Sequence, residues 1–189
     1  MNVRLALCLL LLALAACAGT QKPSLRVFDF GLAGATEATP VHSVAVTEMR
    51  SPEWLASTDM LYRLAYQDRY ALARYGQSRW AGAPGAMLTL RLRQEIGHTP
   101  GGKCTLTLEL AEFSQVFDAP AESRAVLQVQ AALTAGGGSR TALAQREFRL
   151  EKATPTADAA GSAAAFSELA GELAVALNAW IGESGACNK

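Results

Sequence analysis

The sequence contains little of what most catalytic, metal and cofactor sites need. Its 189 residues include only two histidines, His42 and His98, and neither has a partner at metal-ligand spacing. The four cysteines form no C-x-x-C pair. A G-x-S-x-G nucleophile elbow, a Walker phosphate loop and a G-x-G-x-x-G dinucleotide motif are also missing. We therefore expect no catalysis, no cofactor and no metal.

The chain also lacks an excess of charge. Its 17 lysines and arginines balance 17 aspartates and glutamates, and no cluster of five or more basic residues occurs. This balance argues against electrostatic binding to nucleic acid. Glu109 and Glu112 are near each other, but the solvated face of a strand explains them better than an acid–base pair does.

The N-terminus carries the pattern of a bacterial lipoprotein signal peptide. Arg4 precedes a leucine-rich segment, and Leu14-Ala15-Ala16-Cys17 supplies small residues followed by a cysteine. The apolar stretch of 14 residues, 5–18, falls short of the roughly 20 that a membrane-spanning helix needs. We predict a signal peptide at 1–16, acylation of Cys17, a lipidated tether at 17–24 and a single periplasmic domain at 25–189.

The residue after the acylation site indicates which membrane holds the anchor. Ala18 stands where an aspartate would signal retention in the inner membrane. We therefore expect the chain to be anchored in the outer membrane, on its periplasmic face. Several acyl chains make such an anchor stable.

Two cysteines remain in the mature domain, Cys104 and Cys187. In an oxidising compartment an even count favours a disulfide. The alternative is two free thiols, one in a strand and one in the C-terminal tail.

Hydrophobic periodicity predicts an α+β fold, with a mostly antiparallel sheet and two main helices packed on one face. The first helix begins near Pro84 and ends at Gly97, and the second spans 158–181. Gln67 to Tyr75 is expected to be irregular or helical, and His42 and His98 are expected at the surface. The predicted strands are 25–31, 41–49, 60–66, 104–117 with a bend at Ala111-Glu112, 127–133 and 142–150, the last two joined by a turn at Gly136–Gly138.

Six aromatic residues, all Tyr or Trp, lie within 27 positions: Trp54, Tyr62, Tyr66, Tyr70, Tyr75 and Trp80. These residue types are enriched at protein interfaces. Trp54 and Leu55 follow Ser51-Pro52 in a predicted loop, and Met60 begins the next strand. We predict that Trp54, Leu55 and Met60 bind a partner protein, and the alternative is that Trp54 folds back over the core.

Several short motifs, in order, resemble one family. They are Asp59 with Leu61-Tyr62-Arg63-Leu64, Ser78-Arg79-Trp80 before a helix that begins with proline, Glu109-Leu110-x-x-Phe113-x-Gln115-Val116-Phe117-Asp118, and a last helix opened by Asp158-Ala159 and ended by Trp180. Together with the signal pattern, this set resembles the ABC-type transport auxiliary lipoproteins, the PqiC/YmbA-like family, over roughly residues 28–180.

The resemblance implies a role in an MCE-type system that moves phospholipids between membranes. The lipoprotein would be a non-catalytic auxiliary component that docks to the MCE-domain protein of an ABC transporter, whose ATPase is a separate chain. Because MCE assemblies are rings, the resemblance also admits a homo-oligomer. The alternative is a periplasmic lipid carrier that holds an acyl chain in a cavity of its own.

Overall fold

The computed structural model describes residues 24–32, 42–138, 141–185 and 187. The predicted signal peptide and Cys17 lie outside these residues. Within these residues there are two helices, α1 (Pro84–Ile96) and α2 (Ala159–Glu183), and one 3₁₀ turn at Glu53–Leu55. The seven strands are β1 (Arg26–Phe28), β2 (Val44–Val46), β3 (Asp59–Leu64), β4 (Ala73–Trp80), β5 (Cys104–Ala119), β6 (Glu122–Ala135) and β7 (Ala142–Ala153).

All seven strands form one sheet in the order β1-β4-β3-β5-β6-β7, with β2 paired to the start of β5. The long strands β5, β6 and β7 are antiparallel neighbours, and so are β3 and β4. The pairs β1–β4, β2–β5 and β3–β5 are parallel. The α+β prediction is thus confirmed, with a sheet that is mixed.

Strand β5 shows why one face of the sheet is buried. Four side chains at alternate positions, Cys104, Leu106, Leu108 and Leu110, are fully buried. The register then shifts between Leu110 and Glu112, which confirms the bend expected there. After this bulge Phe113 continues the buried face.

Both helices begin as the sequence predicted, and α1 also ends as predicted, whereas α2 continues two residues past the predicted end at 181. Pro84 stands at the start of α1, where its missing N–H costs nothing, and Gly97 ends the helix with a φ of 80°. The side chain of Asp158 caps α2 by accepting a hydrogen bond from the N–H of Gly161 at 2.8 Å. Gly137 and Gly138 also have positive φ, as the predicted turn after β6 requires.

The core between the sheet and the helices is aromatic at its centre. The rings of Phe113 on β5 and Phe166 on α2 stack with centroids 3.8 Å apart, and Trp80 lies edge-on to both. Phe30 completes the group, since its ring lies 5.7 Å from that of Trp80. Residues from both helices and most strands join this one core.

Helix α2 is long and apolar enough to cross a membrane by length and composition alone. Within the fold, however, 56% of its most apolar window is buried. Leu169, Leu173 and Leu177 recur at helical spacing and are fully buried. We therefore interpret α2 as a core helix that covers the sheet.

Strand β4 and the two histidines correct the sequence analysis. Residues 73–75 belong to a strand, because β4 is paired on both sides, by β1 and by β3. His42 is buried, with Nε2 donating to the carbonyl oxygen of Asn178 at 3.2 Å. His98 is half-buried, and its Nδ1 accepts a hydrogen bond from the N–H of Val46 at 3.0 Å. Each imidazole thus pairs with one backbone group, His42 with a carbonyl of α2 and His98 with an N–H of β2.

Candidate docking surface

The predicted partner residues separate into one surface residue and two core residues. The side chain of Trp54 is 43% exposed, whereas Leu55 and Met60 are only 2% and 1% exposed. A 3₁₀ turn has three residues per turn, so neighbouring side chains point in different directions. Leu55 and Met60 therefore cannot offer a contact surface in this conformation, and the docking prediction reduces to Trp54.

Backbone hydrogen bonds of the 3₁₀ turn fix the main chain at Trp54. The N–H of Leu55 bonds to the carbonyl of Pro52 at 2.9 Å, and the N–H of Ala56 bonds to that of Glu53 at 3.2 Å. The buried side chain of Leu55 fixes this turn to the core. An exposed indole on an ordered base loses little conformational entropy on contact, which is the property of a binding anchor.

The other aromatic residues of this segment divide by depth. Trp80 belongs to the core, while Tyr62 and Tyr75 pack together with centroids 4.8 Å apart. Tyr66 and Tyr70 are exposed in the turn between β3 and β4. Half-burial of these rings could not be read from the sequence, because it depends on how β3 and β4 pair.

A polar chain that the sequence analysis missed runs beside the start of α2. The hydroxyl of Tyr75 donates to Gln115 Oε1 at 2.7 Å, and Gln115 Nε2 donates to Ser123 Oγ at 2.8 Å. Ser123 Oγ in turn lies 2.6 Å from Thr154 Oγ1. Burial, and then the charge of Asp158, raise the pKa of Tyr75, so its hydroxyl stays protonated and remains a donor.

These four hydrogen-bonded side chains have a structural role and do not form a catalytic site. All four are neutral, and each is satisfied by the next, which is how buried polar groups avoid a desolvation penalty. The only sign of them in the sequence is that Gln115 and Ser123 are polar at positions of β5 and β6 where apolar side chains would be expected. Across the described part of the chain, no group of three or more His, Cys, Asp or Glu side chains could hold a metal ion.

The sulfur atoms of Cys104 and Cys187 are bonded in a disulfide. Cys104 begins β5, and both cysteines are fully buried. The N–H of Ser43 bonds to the carbonyl of Cys187 at 2.8 Å, so the C-terminal segment also lies against the residues that enter β2.

Surface clefts and core packing bear on the lipid-carrier alternative. An open cleft of about 420 Å³ crosses the sheet face opposite the helices, and its lining includes Arg50, Glu109 and Glu147. A smaller cleft of about 170 Å³ beside α1 includes Met87 and Leu90. An acyl chain needs an apolar, enclosed site. The first cleft is lined by charge, and stacked aromatic rings fill the space between sheet and helices.

Comparison with known proteins gives a family and a fold. The model of the family described as "ABC-type transport auxiliary lipoprotein component" matches residues 31–178. The crystal structure of a Xanthomonas campestris protein of the DUF330 family superposes with a TM-score of 0.66 at 17% identity, covering 86% of this chain and 94% of the other. An uncharacterized protein of known crystal structure gives a TM-score of 0.64 at 15% identity, covering 84% and 99%. No curated protein matches significantly.

Proposed function

Because this chain belongs to the family of ABC-type transport auxiliary lipoprotein components, we propose that it is the non-catalytic, outer-membrane-anchored member of an MCE-type phospholipid transport system. The observation that carries this proposal is the family match over 31–178, which includes the buried core of the described residues apart from Phe30, Trp180, Ile181 and Cys187. The signal pattern ending at Cys17 supports a lipid anchor on the periplasmic face of the membrane.

The exposed side chain of Trp54 supports a role in binding a partner protein. Trp54 is a partly exposed indole on an ordered turn, and the polar side chains from Tyr75 to Thr154 hydrogen-bond to one another. We infer that Trp54 contacts the MCE-domain protein, whose partner permease and ATPase supply the energy for transport. Buried tryptophans in interfaces commonly contribute about 2 kcal/mol or more, which corresponds to about 30-fold in Kd.

Capture of the MCE protein by this lipoprotein tests the docking residue. Trp54→Ala is expected to weaken capture by about 30-fold while leaving the melting temperature close to that of the wild type. Leu90→Ala is the matched control, because Leu90 is also an exposed apolar side chain but lies on α1. Wild-type capture by the Trp54 variant, or a large loss of stability, would assign Trp54 to the core instead.

The anchor is tested separately. Mass spectrometry of membrane-extracted protein should show an N-terminal peptide that begins at an acylated Cys17. A Cys17→Ser chain should lose both the acyl groups and cleavage after Ala16. If that variant keeps its native acylation, the proposed anchor is wrong. Lipid that co-purifies with the washed domain, in place of an MCE protein, would favour the carrier function.

A further inference from the structure

The turn between β3 and β4 presents apolar and aromatic side chains to solvent. We call residues 65–72 the β3–β4 tip. Tyr66, Tyr70 and Leu72 are all exposed there, Tyr70 to 85%. The turn is nevertheless ordered, because the N–H of Asp68 bonds to the carbonyl of Leu64 at 2.9 Å and its carboxylate accepts from the N–H of Tyr70 at 2.8 Å.

The path of the N-terminus points to the same end of the molecule. Strand β1 runs parallel to β4, with Arg26 opposite Ser78 and Phe28 opposite Trp80. Going backward from Arg26, the chain therefore heads toward Ala73, where β4 begins, and the tip beyond it. Continued back by two residues, this register puts Ser24, the first described residue, about level with Gly76.

The chain before Ser24 has the right length to reach the tip. Cys17 precedes Ser24 by seven residues, which span at most about 25 Å when extended. The three residues from Gly76 to Ala73 take up about 10 Å of β4, so about 15 Å remain for the tip itself. The opposite end of the sheet is out of reach, because the nine residues of β5 from the level of Gly76, near Phe113, back to Cys104 extend for about 30 Å.

We propose that the β3–β4 tip rests in the headgroup region of the membrane that holds the acyl anchor, an inference that depends on the acylation of Cys17 put forward above. Tyr66 and Tyr70 place an apolar ring and a polar hydroxyl at the boundary where tyrosine is enriched in membrane proteins. Leu72 adds apolar area, and the exposed guanidinium of Arg69 faces lipid phosphates. The acyl chains supply the affinity, and the tip sets the orientation of the domain.

A fluorescence experiment on the acylated full-length chain tests this contact. The chain is reconstituted into vesicles of phosphatidylethanolamine and phosphatidylglycerol that contain brominated phosphatidylcholine as a quencher. Tyr70→Trp puts an indole at the tip. Val175→Trp is the matched control, because Val175 is also exposed, to 71%, but lies far from the tip. Helix α2 begins at Ala159, beside Arg26 and Gly76, and Val175 is about 24 Å farther along the helix. Emission from the wild-type tryptophans is subtracted.

The expected result is loss of the added emission for Tyr70→Trp and none for Val175→Trp. Equal quenching of both variants, or of neither, in chains that are acylated and bound to vesicles overturns the tip contact and leaves the proposed function standing. If mass spectrometry shows that Cys17 carries no acyl group, both proposals fail together. If Tyr70→Ser abolishes MCE-protein capture and Tyr70→Trp stays unquenched, the tip binds protein and the lipid contact is refuted.

Discussion

Breaking the Cys104–Cys187 disulfide should cost this domain a large part of its stability. The bond closes a loop with a sequence separation of 83 residues. The chain-entropy model assigns a loop of this length about 4.5 kcal/mol at 25 °C, by limiting the conformations of the unfolded chain. In a domain of this size each kcal/mol shifts the melting temperature by about 2–4 °C. We therefore expect a drop of about 9–18 °C on reduction.

The structure indicates how to separate the covalent bond from packing. Both cysteines are fully buried, so Cys104→Ala with Cys187→Ala removes the bond and also some packed volume. Reduced wild-type protein keeps both sulfur atoms and loses only the bond. Reduction of the wild type should thus account for most of the fall in melting temperature, and the double variant should melt slightly lower still.

Thermal unfolding followed by circular dichroism measures these differences, with the oxidised, reduced and doubly substituted chains in the same buffer. Peptide mapping under non-reducing conditions establishes whether the bond is present in the isolated protein. A melting temperature that reduction leaves unchanged would refute the entropic argument. Two thiols that react freely with an alkylating agent in the native protein would refute the disulfide itself.

Two further predictions concern the start of α2. Gly161→Ala should destabilise the domain by roughly 1–3 kcal/mol in urea unfolding, because the new Cβ would overlap the carbonyl oxygen of Thr156. Gly76→Ala is the control, and it should be nearly neutral or stabilising because the space around Gly76 is open. Hydrogen bonds from the Gly161 N–H and the Thr156 hydroxyl lower the pKa of Asp158, so its carboxylate stabilises the fold at neutral pH and this contribution is lost as the pH falls below about 4. Asp158→Asn still caps the helix, so its stability deficit against the wild type should shrink between pH 7 and pH 3, and a constant deficit would contradict this account.

The helices and the long strands could be predicted because their signals are local. Pro84 and Gly97 mark the ends of α1, and the leucines of α2 recur at helical spacing. Along β5, alternation from Cys104 to Leu110 fixes which face is buried, and the break at Ala111-Glu112 is visible as a break in the pattern. Each of these depends only on neighbours in sequence.

Strand β4 and the parallel pairings could not be predicted, because their causes are distant in sequence. In β4 only Ser78 and Trp80 are buried, and Gly76 interrupts any alternation, so its neighbours β1 and β3 specify the strand. Alternation also states which face a side chain takes and not which strand lies beside it. Burial of Leu55 follows in the same way from the turn in which it lies.

The attachment of β1 has a mechanical consequence for a chain held by its N-terminus. A pull on the tether would act along β1, whose three residues lie parallel to β4, so the hydrogen bonds between the two strands would share the load in shear. Beyond β1 the load would meet Phe30, whose ring packs against Trp80 and whose carbonyl accepts a hydrogen bond from Ser167 on α2 at 2.6 Å. The force would therefore reach the aromatic core. Pulling the N-terminal segment away from the domain would require removing Phe30 from that core.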